Sequence, residues 1–208
     1  MRRTSAPQSR GRRPRLVLAS GSPRRAELLQ QVVADFIVRP ADIDENRLEH
    51  EGETEYVLRI CRSKAEAVFQ AAPRGRGPGL WTLGADTIVA VAGSVLGKPQ
   101  DAEQARWMLS RLQGRRHEVM TGVCLLDGRG EVRFLDAVVT AVWMRRLEDD
   151  EIEEYLRSGE PYDKAGGYAI QGLAGRFIQR IQGSFSNVVG LPLEEVRDIL
   201  GRHGLLAT

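Results

Sequence analysis

The stretch 15–32 limits the fold more than any other. Residues 15–19 read as a short buried strand, and residues 25–32 as a helix with Ala26, Leu28 and Leu29 on or beside its apolar face. Between them Ser22 stands where an N-cap belongs and Pro23 at the first helical position. A capping box would place Glu or Gln three residues after the cap, and acidic side chains suit the positive end of the helix dipole. Arg24 and Arg25 stand in that first turn instead. One reading is an ordinary capped helix with solvated arginines. The other is an anion at the helix start, held by free backbone N–H groups, hydroxyls and guanidinium forks.

A chain of 208 residues has room for one sizeable α/β domain, or one domain in two lobes. A formal net charge of +2 argues for neither a nucleic-acid nor a membrane partner. Cys61 and Cys124 fall in a helical and a strand pattern and read as buried thiols of a reducing compartment. No apolar run approaches the roughly 18 residues of a membrane span. Residues 1–14, with Arg2, Arg3, Arg10, Arg12 and Arg13 among Ser, Gln, Gly and Pro, read as a disordered basic arm without the apolar segment of a secretory signal. Such an arm either brushes nucleic acid electrostatically or has no specific role. The domain proper is expected over 15–208, in the cytoplasm.

Further along, residues 36–38 read as a second strand that runs into the acidic cluster Asp42, Asp44 and Glu45. Carboxylates beyond a strand end suit Mg²⁺ or Mn²⁺, and equally suit a solvated loop. Residues 54–71 have the spacing of a helix, with Lys64 beside its apolar stripe, where a lysine either snorkels to water or serves a ligand. Residues 72–79 read as a mobile surface loop. Residues 81–91 read as a central strand, apolar and β-branched except for Asp86. A buried carboxylate needs a cation, a metal or a catalytic task. Gly93-Ser94 is expected to turn the chain back toward Lys98. A two-residue turn sets Lys98 opposite Val89, and a three-residue turn sets it opposite Ile88, on the Asp86 face. The run from Gly93 to Lys98 is one residue short of a P-loop and lacks its Ser or Thr, so that match is set aside.

Asp101 and Gln104 start a third helix that Gly114 ends. Strands over 115–126 and 132–144 follow, joined by an expected Asp127-Gly128 hairpin, then a helix over 147–156 with an acidic first turn. His117 has no ligand-spaced Cys or His, so zinc is not expected. Glycines in residues 163–172 allow close backbone approach. Residues 177–181 alternate as a strand, and a last helix follows Pro192.

The run Leu18-Ala-Ser-Gly-Ser-Pro-Arg-Arg, Gly84-Ala-Asp-Thr, Leu96-Gly-Lys-Pro, Asp163-Lys-Ala-Gly, Ile170-Gln-Gly and Val189-Gly-Leu-Pro-Leu resembles the Maf family of nucleoside triphosphate pyrophosphatases. The resemblance runs in unbroken motif order over about 15–200. It implies an elongated mixed sheet flanked by helices, ITPase-like, with two lobes around a nucleotide cleft. Arg24, Thr87 and Gln171 match the positions that separate the dTTP/UTP branch from a 7-methyl-GTP branch, which tends toward Trp, Gln and Glu there. As they stand they resemble the dTTP/UTP branch. Asp44-Glu45 stands where relatives often have Glu-Glu.

The resemblance implies cleavage of dTTP, UTP or modified pyrimidine nucleotides to the monophosphate and pyrophosphate. It assigns Asp86 as general base, Glu45 and Asp86 to Mg²⁺ or Mn²⁺, and Ser22, Arg25, Lys64 and Lys98 to the triphosphate. Arg24, Thr87 and Gln171 would select the base. The role would be nucleotide-pool housecleaning or cell-division arrest. Asp163 and Lys164 either join the site or form a structural ion pair. The alternative is a non-hydrolysing nucleotide-binding regulator of septum formation. A nucleoside triphosphate is the expected partner and a homodimer is admitted. Neither a membrane nor a specific nucleic acid is expected.

Overall fold

The computed structural model describes residues 15–72 and 79–206. The basic arm and, apart from Ala72 and Gly79, the loop read at 72–79 lie outside the described residues. Within them one seven-stranded sheet is built from β1 (Arg15–Ala19), β2 (Phe36–Val38), β3 (Leu80–Val91), β4 (Ser94–Leu96), β5 (Arg116–Leu126), β6 (Val132–Met144) and β7 (Ile178–Gln182). The order is β2-β1-β3-β5-β6-β7, with β4 paired to β3. β1 runs parallel to β2 and β3, and the other pairings are antiparallel. The sheet is flanked by α1 (Pro23–Gln30), α2 (Glu53–Gln70), α3 (Ala102–Leu112), α4 (Asp149–Arg157), α5 (Phe185–Val189) and α6 (Leu193–Arg202). Short 3₁₀ turns lie at Glu160–Asp163, Ala165–Gly167 and Leu173–Phe177. Among the described residues no helix is long and apolar enough to cross a membrane.

β1, β2 and β6 have the bounds read from the sequence. α1 starts two residues earlier than the periodicity suggested, at Pro23. Two hairpins differ more. The first turn is Ala92-Gly93, not Gly93-Ser94: Val91 pairs with Ser94, and both turn residues take positive φ, at 47° and 77°. That is the type I′ geometry whose twist matches the flanking strands, and it is selected although Ala bears a Cβ. Extended past Leu96, this register sets Lys98 opposite Thr87, so neither expected partner holds. The second turn is longer than Asp127-Gly128, because Leu126 pairs with Val132. Asp127 Oδ1 accepts the N–H groups of Arg129 and Glu131 at 2.8 and 3.0 Å, and Gly130 takes the left-handed conformation at φ 82°.

Two glycines decide how α2 meets the sheet. A Cβ on Gly84 would lie 2.2 Å from the carbonyl oxygen of Cys61, and one on Gly122 would lie 2.6 Å from that of Val57. Only a bare backbone lets the helix settle this low. The two largest core clusters join β3's far end with β4, α3 and α4, and β1 with β3's near end, α1 and α6; smaller clusters seat α2 on the sheet. Cys61 and Cys124 are free and buried, and burial pushes both thiols up, Cys124 to about 12. They are inert as nucleophiles.

Candidate active site

β1 leaves β3 at the Ala19–Gly84 pair, and β4 joins that side of β3 only at Val89–Leu96. Residues 85–88 are therefore uncovered along one edge. A cavity of about 740 Å³ opens beside them. It lies beyond the carboxyl end of a parallel strand, where open α/β sheets place their ligands. The segments leaving β1, β2, β4 and α5 reach it, together with residues 163–171.

At one end stands the start of α1. Ser22 is the N-cap in extended conformation, but its side chain caps nothing, and the first turn carries no acidic residue. Pro23 has no N–H, and Ala26 N–H already reaches the carbonyl of Ser22 at 3.3 Å. The amides of Arg24 and Arg25 remain at the positive end of the helix. The ordinary capped helix is thus not what the chain forms.

The two arginines part company. Arg25 is buried, and its guanidinium donates to the carbonyl of Gly190 at 2.8 Å, Ser20 Oγ at 3.0 Å and Thr87 Oγ1 at 2.8 Å. Burial lowers its pKa, opposed by the charges of Asp86 and Glu45. Three of its five N–H bonds are thus spent on protein oxygens. Arg24 leans out over the cavity, and its Nη1 donates to Asp163 Oδ2 at 3.0 Å.

Deeper in, Lys64 Nζ lies 2.7 Å from Asp86 Oδ1 and 2.9 Å from Glu45 Oε1. The low seat of α2 on Gly84 and Gly122 makes this meeting possible, since Lys64 is one helical turn past Cys61 and Asp86 faces Gly122 across the ladder. Lys64 and Asp86 side chains are each 10% exposed, so Lys64 does not snorkel to water. Asp44 does not join them: its carboxylate accepts the N–H of Asn46 at 2.9 Å within its own loop, and the cavity wall does not include it.

Thr87 faces the other side of β3. Its hydroxyl takes the Arg25 bond, lies 2.9 Å from Thr121 Oγ1 and reaches the carbonyl of Gly190 at 3.3 Å. Lys98 and Gln171 are exposed on the rim. Asp163 and Lys164 form an ion pair, and Lys164 Nζ also donates to the carbonyl of Glu160 at 2.8 Å. The ion pair, with Arg24 as a third member, is present, and both residues also line the cavity.

All nine expected residues therefore face one cavity. The sequence reading missed Ser20, whose hydroxyl accepts both Arg25 and the N–H of Ser22, and Tyr56, whose hydroxyl donates to the carbonyl of Glu45 at 2.8 Å. Ser20 stands within the motif run that begins at Leu18, whereas no local spacing marks Tyr56.

Two carboxylates that already converge on one cation, Lys64 Nζ, are a suitable donor set for Mg²⁺ or Mn²⁺. Such ions take one or two carboxylates and complete their shell with phosphate oxygens and water. Among the described residues no group of three or more His, Cys, Asp or Glu forms an all-protein cage.

The family model described as Maf-like protein matches residues 15–203. The dTTP/UTP pyrophosphatase of Anaeromyxobacter dehalogenans (strain 2CP-C) is 54% identical over 92% of this chain and 95% of its own length. That of Myxococcus xanthus (strain DK1622) is 51% identical over 91% and 93%. A solved structure, the nucleoside-triphosphatase or dITP/XTP pyrophosphatase of Mycobacterium abscessus, covers 91% of this chain at 15% identity and a TM-score of 0.42, too loose a likeness to carry function. Family model, relatives and motif-bearing cavity agree: this chain belongs to the Maf family.

Proposed function

We propose that the protein hydrolyses dTTP and UTP between the α and β phosphates, releasing the monophosphate and pyrophosphate. The observation that carries this reading is the convergence of Lys64, Glu45 and Asp86 in the same cavity as the uncapped, arginine-bearing start of α1. Relatives named dTTP/UTP pyrophosphatase at 46–54% identity support the choice of substrate.

The triphosphate is polyanionic, and its tail lies against Ser22, the free amides of α1 and Lys98. Arg25 contributes its charge from the wall while holding Thr87 and Gly190 in place. Asp86 Oδ1 is held by Lys64, which fixes the carboxylate and leaves Oδ2 to accept a proton from the attacking water. Glu45 and Asp86 would hold the divalent cation, which neutralises phosphate charge when bound. Lys64 Nζ, kept on Asp86, also lends its positive charge to the phosphate oxygens beside it. Arg24, oriented by Asp163, joins Thr87 and Gln171 in selecting the base. Work on free nucleotides sets the enzyme in the cytoplasm, keeping the pool clean.

The test is pyrophosphate release from a panel of normal, methylated and modified triphosphates with Mg²⁺ or Mn²⁺. Release confined to dTTP, UTP and close pyrimidine analogues is expected. Tight binding with no release from any member would leave a nucleotide-binding regulator instead, a reading that no feature of the cavity favours.

A further inference from the structure

His117 is a buried polar group that the reaction leaves unused. It sits near the start of β5, 2% exposed, on the same face of the strand as Val119 of the cavity wall. Its Nε2 lies 2.6 Å from the hydroxyl of Tyr168, and the two rings meet edge to face with centroids 5.4 Å apart. Its Nδ1 is buried without a partner. An apolar side chain would fill this place at lower cost, because every unpaired buried polar atom loses its hydration for nothing. The histidine is not there for stability alone.

Tyr168 shows what the bond holds. Gly166 and Gly167 precede it in left-handed conformation at φ 69° and 70°, and Ala169, Ile170 and Gln171 follow it along the cavity wall. Glycines at such angles give the backbone freedom that must be removed elsewhere. Besides local turn bonds, three longer ties remove it. Gly166 N–H donates to the carbonyl of Gly97 at 2.9 Å. Glu160 accepts the N–H of Leu173 at 2.8 Å, just past the segment. The phenol of Tyr168, between them, is fixed to the sheet by His117.

We infer that His117 is a positioning residue for base selection: acting through Tyr168, it fixes residues 166–171 so that Gln171 meets the nucleotide base in one geometry. The inference rests on the pyrimidine triphosphate reading of the cavity. His117 touches no substrate.

The experiment compares His117→Leu, Tyr168→Phe and the double variant. Each single change strands the other polar group, so the singles lose stability, whereas the double removes both groups and keeps the thermal midpoint at or above wild type. The double variant is expected to raise KM for dTTP about ten-fold, the equivalent of one lost hydrogen bond. Its kcat stays close to wild type and its preference for dTTP over purine triphosphates falls. The two changes are non-additive on KM, and His117→Gln, whose amide nitrogen reaches the Nε2 position, restores part of it while His117→Asn does not. Ile199→Ala, a destabilising change in the other core cluster, leaves the preference intact. Amide exchange over residues 164–172, measured without nucleotide, is expected to quicken in both single variants. That arm stands even if dTTP is not the substrate. Unchanged exchange would overturn the inference, as would wild-type KM and preference in the stable double variant, or losses that follow the thermal midpoint alone.

Discussion

Lys64 decides the electrostatics of the site, because two carboxylates meet on one ammonium, Asp86 buried with it and Glu45 half exposed. Removing one partner from a buried ion pair leaves an uncompensated charge and costs about 3–5 kcal/mol. Lys64→Met is therefore expected to lower the unfolding free energy by about 3 kcal/mol, allowing for the half-exposed Glu45. Mn²⁺ should recover more of the thermal midpoint in this variant than it adds to wild type, since the carboxylates are then free for it. Equal Mn²⁺ shifts in both proteins would remove Glu45 and Asp86 from the cation. Asp86→Asn keeps the shape of the site and is expected to lower kcat on dTTP by about 10²–10⁴-fold. A wild-type kcat would end its assignment as base. His117 governs a different property. Burial, helped by the charge of Arg116, pushes its pKa down from 6.5 to about 4. A folded-state value below the unfolded one means that the unfolded chain binds the extra proton between those limits. Stability from this group is complete above pH 6.5 and lost as pH falls toward 4, by about 3 kcal/mol in all. Denaturant titrations from pH 7 to 4 should show that slope, and it should flatten in the stable His117→Leu/Tyr168→Phe protein.

The helix that delivers Lys64 does so because Gly84 and Gly122 give it a floor without side chains. Gly84→Ala would drive a methyl group into the backbone oxygen of Cys61, which has no rotamer to escape by. Such overpacking costs about 1–3 kcal/mol, and backbone contact argues for the upper end. The same substitution lifts α2 and separates Lys64 from Asp86, so dTTP hydrolysis should fall together with stability, in contrast to Asp86→Asn. Retained stability and activity in Gly84→Ala would show that the helix has room to rise. This contact also marks the boundary of what a sequence discloses. β1, β2 and β6 were legible to the residue, because apolar β-branched runs and turn signals are local. The start of α1 was half legible: the missing acidic residue raised an anion site beside an ordinary cap, and only the structure leaves the Ser22 side chain without a cap bond. The partner of Lys64 was not legible, since it depends on how far a helix sinks onto a sheet. Nor was the inward turn of Arg25, whose acceptors lie on β3, in the β1 loop and after α5. The Ala92-Gly93 turn was misplaced because Gly-Ser is the stronger local signal, while strand twist decides the matter.

Across the whole molecule the cavity is a seam between the core clusters, with α1 on one side and residues 163–171 on the other. Arg24–Asp163 bridges that seam, but its side chains are 31% and 65% exposed, and exposed pairs contribute about 0–1 kcal/mol. The seam is thus weakly closed by the protein alone, and a nucleotide spanning it should add what the pair does not. At a hundred times its Kd, dTTP would stabilise the fold by about 2.7 kcal/mol. The two ends of the nucleotide should be separable. Inorganic triphosphate, which lacks base and sugar, should slow amide exchange at the start of α1 and leave residues 166–171 as they are. dTTP should slow both. Equal protection of both sides by inorganic triphosphate would mean that the segment bearing Gln171 answers to the phosphate tail, and base selection would then have to lie elsewhere along the uncovered edge of β3.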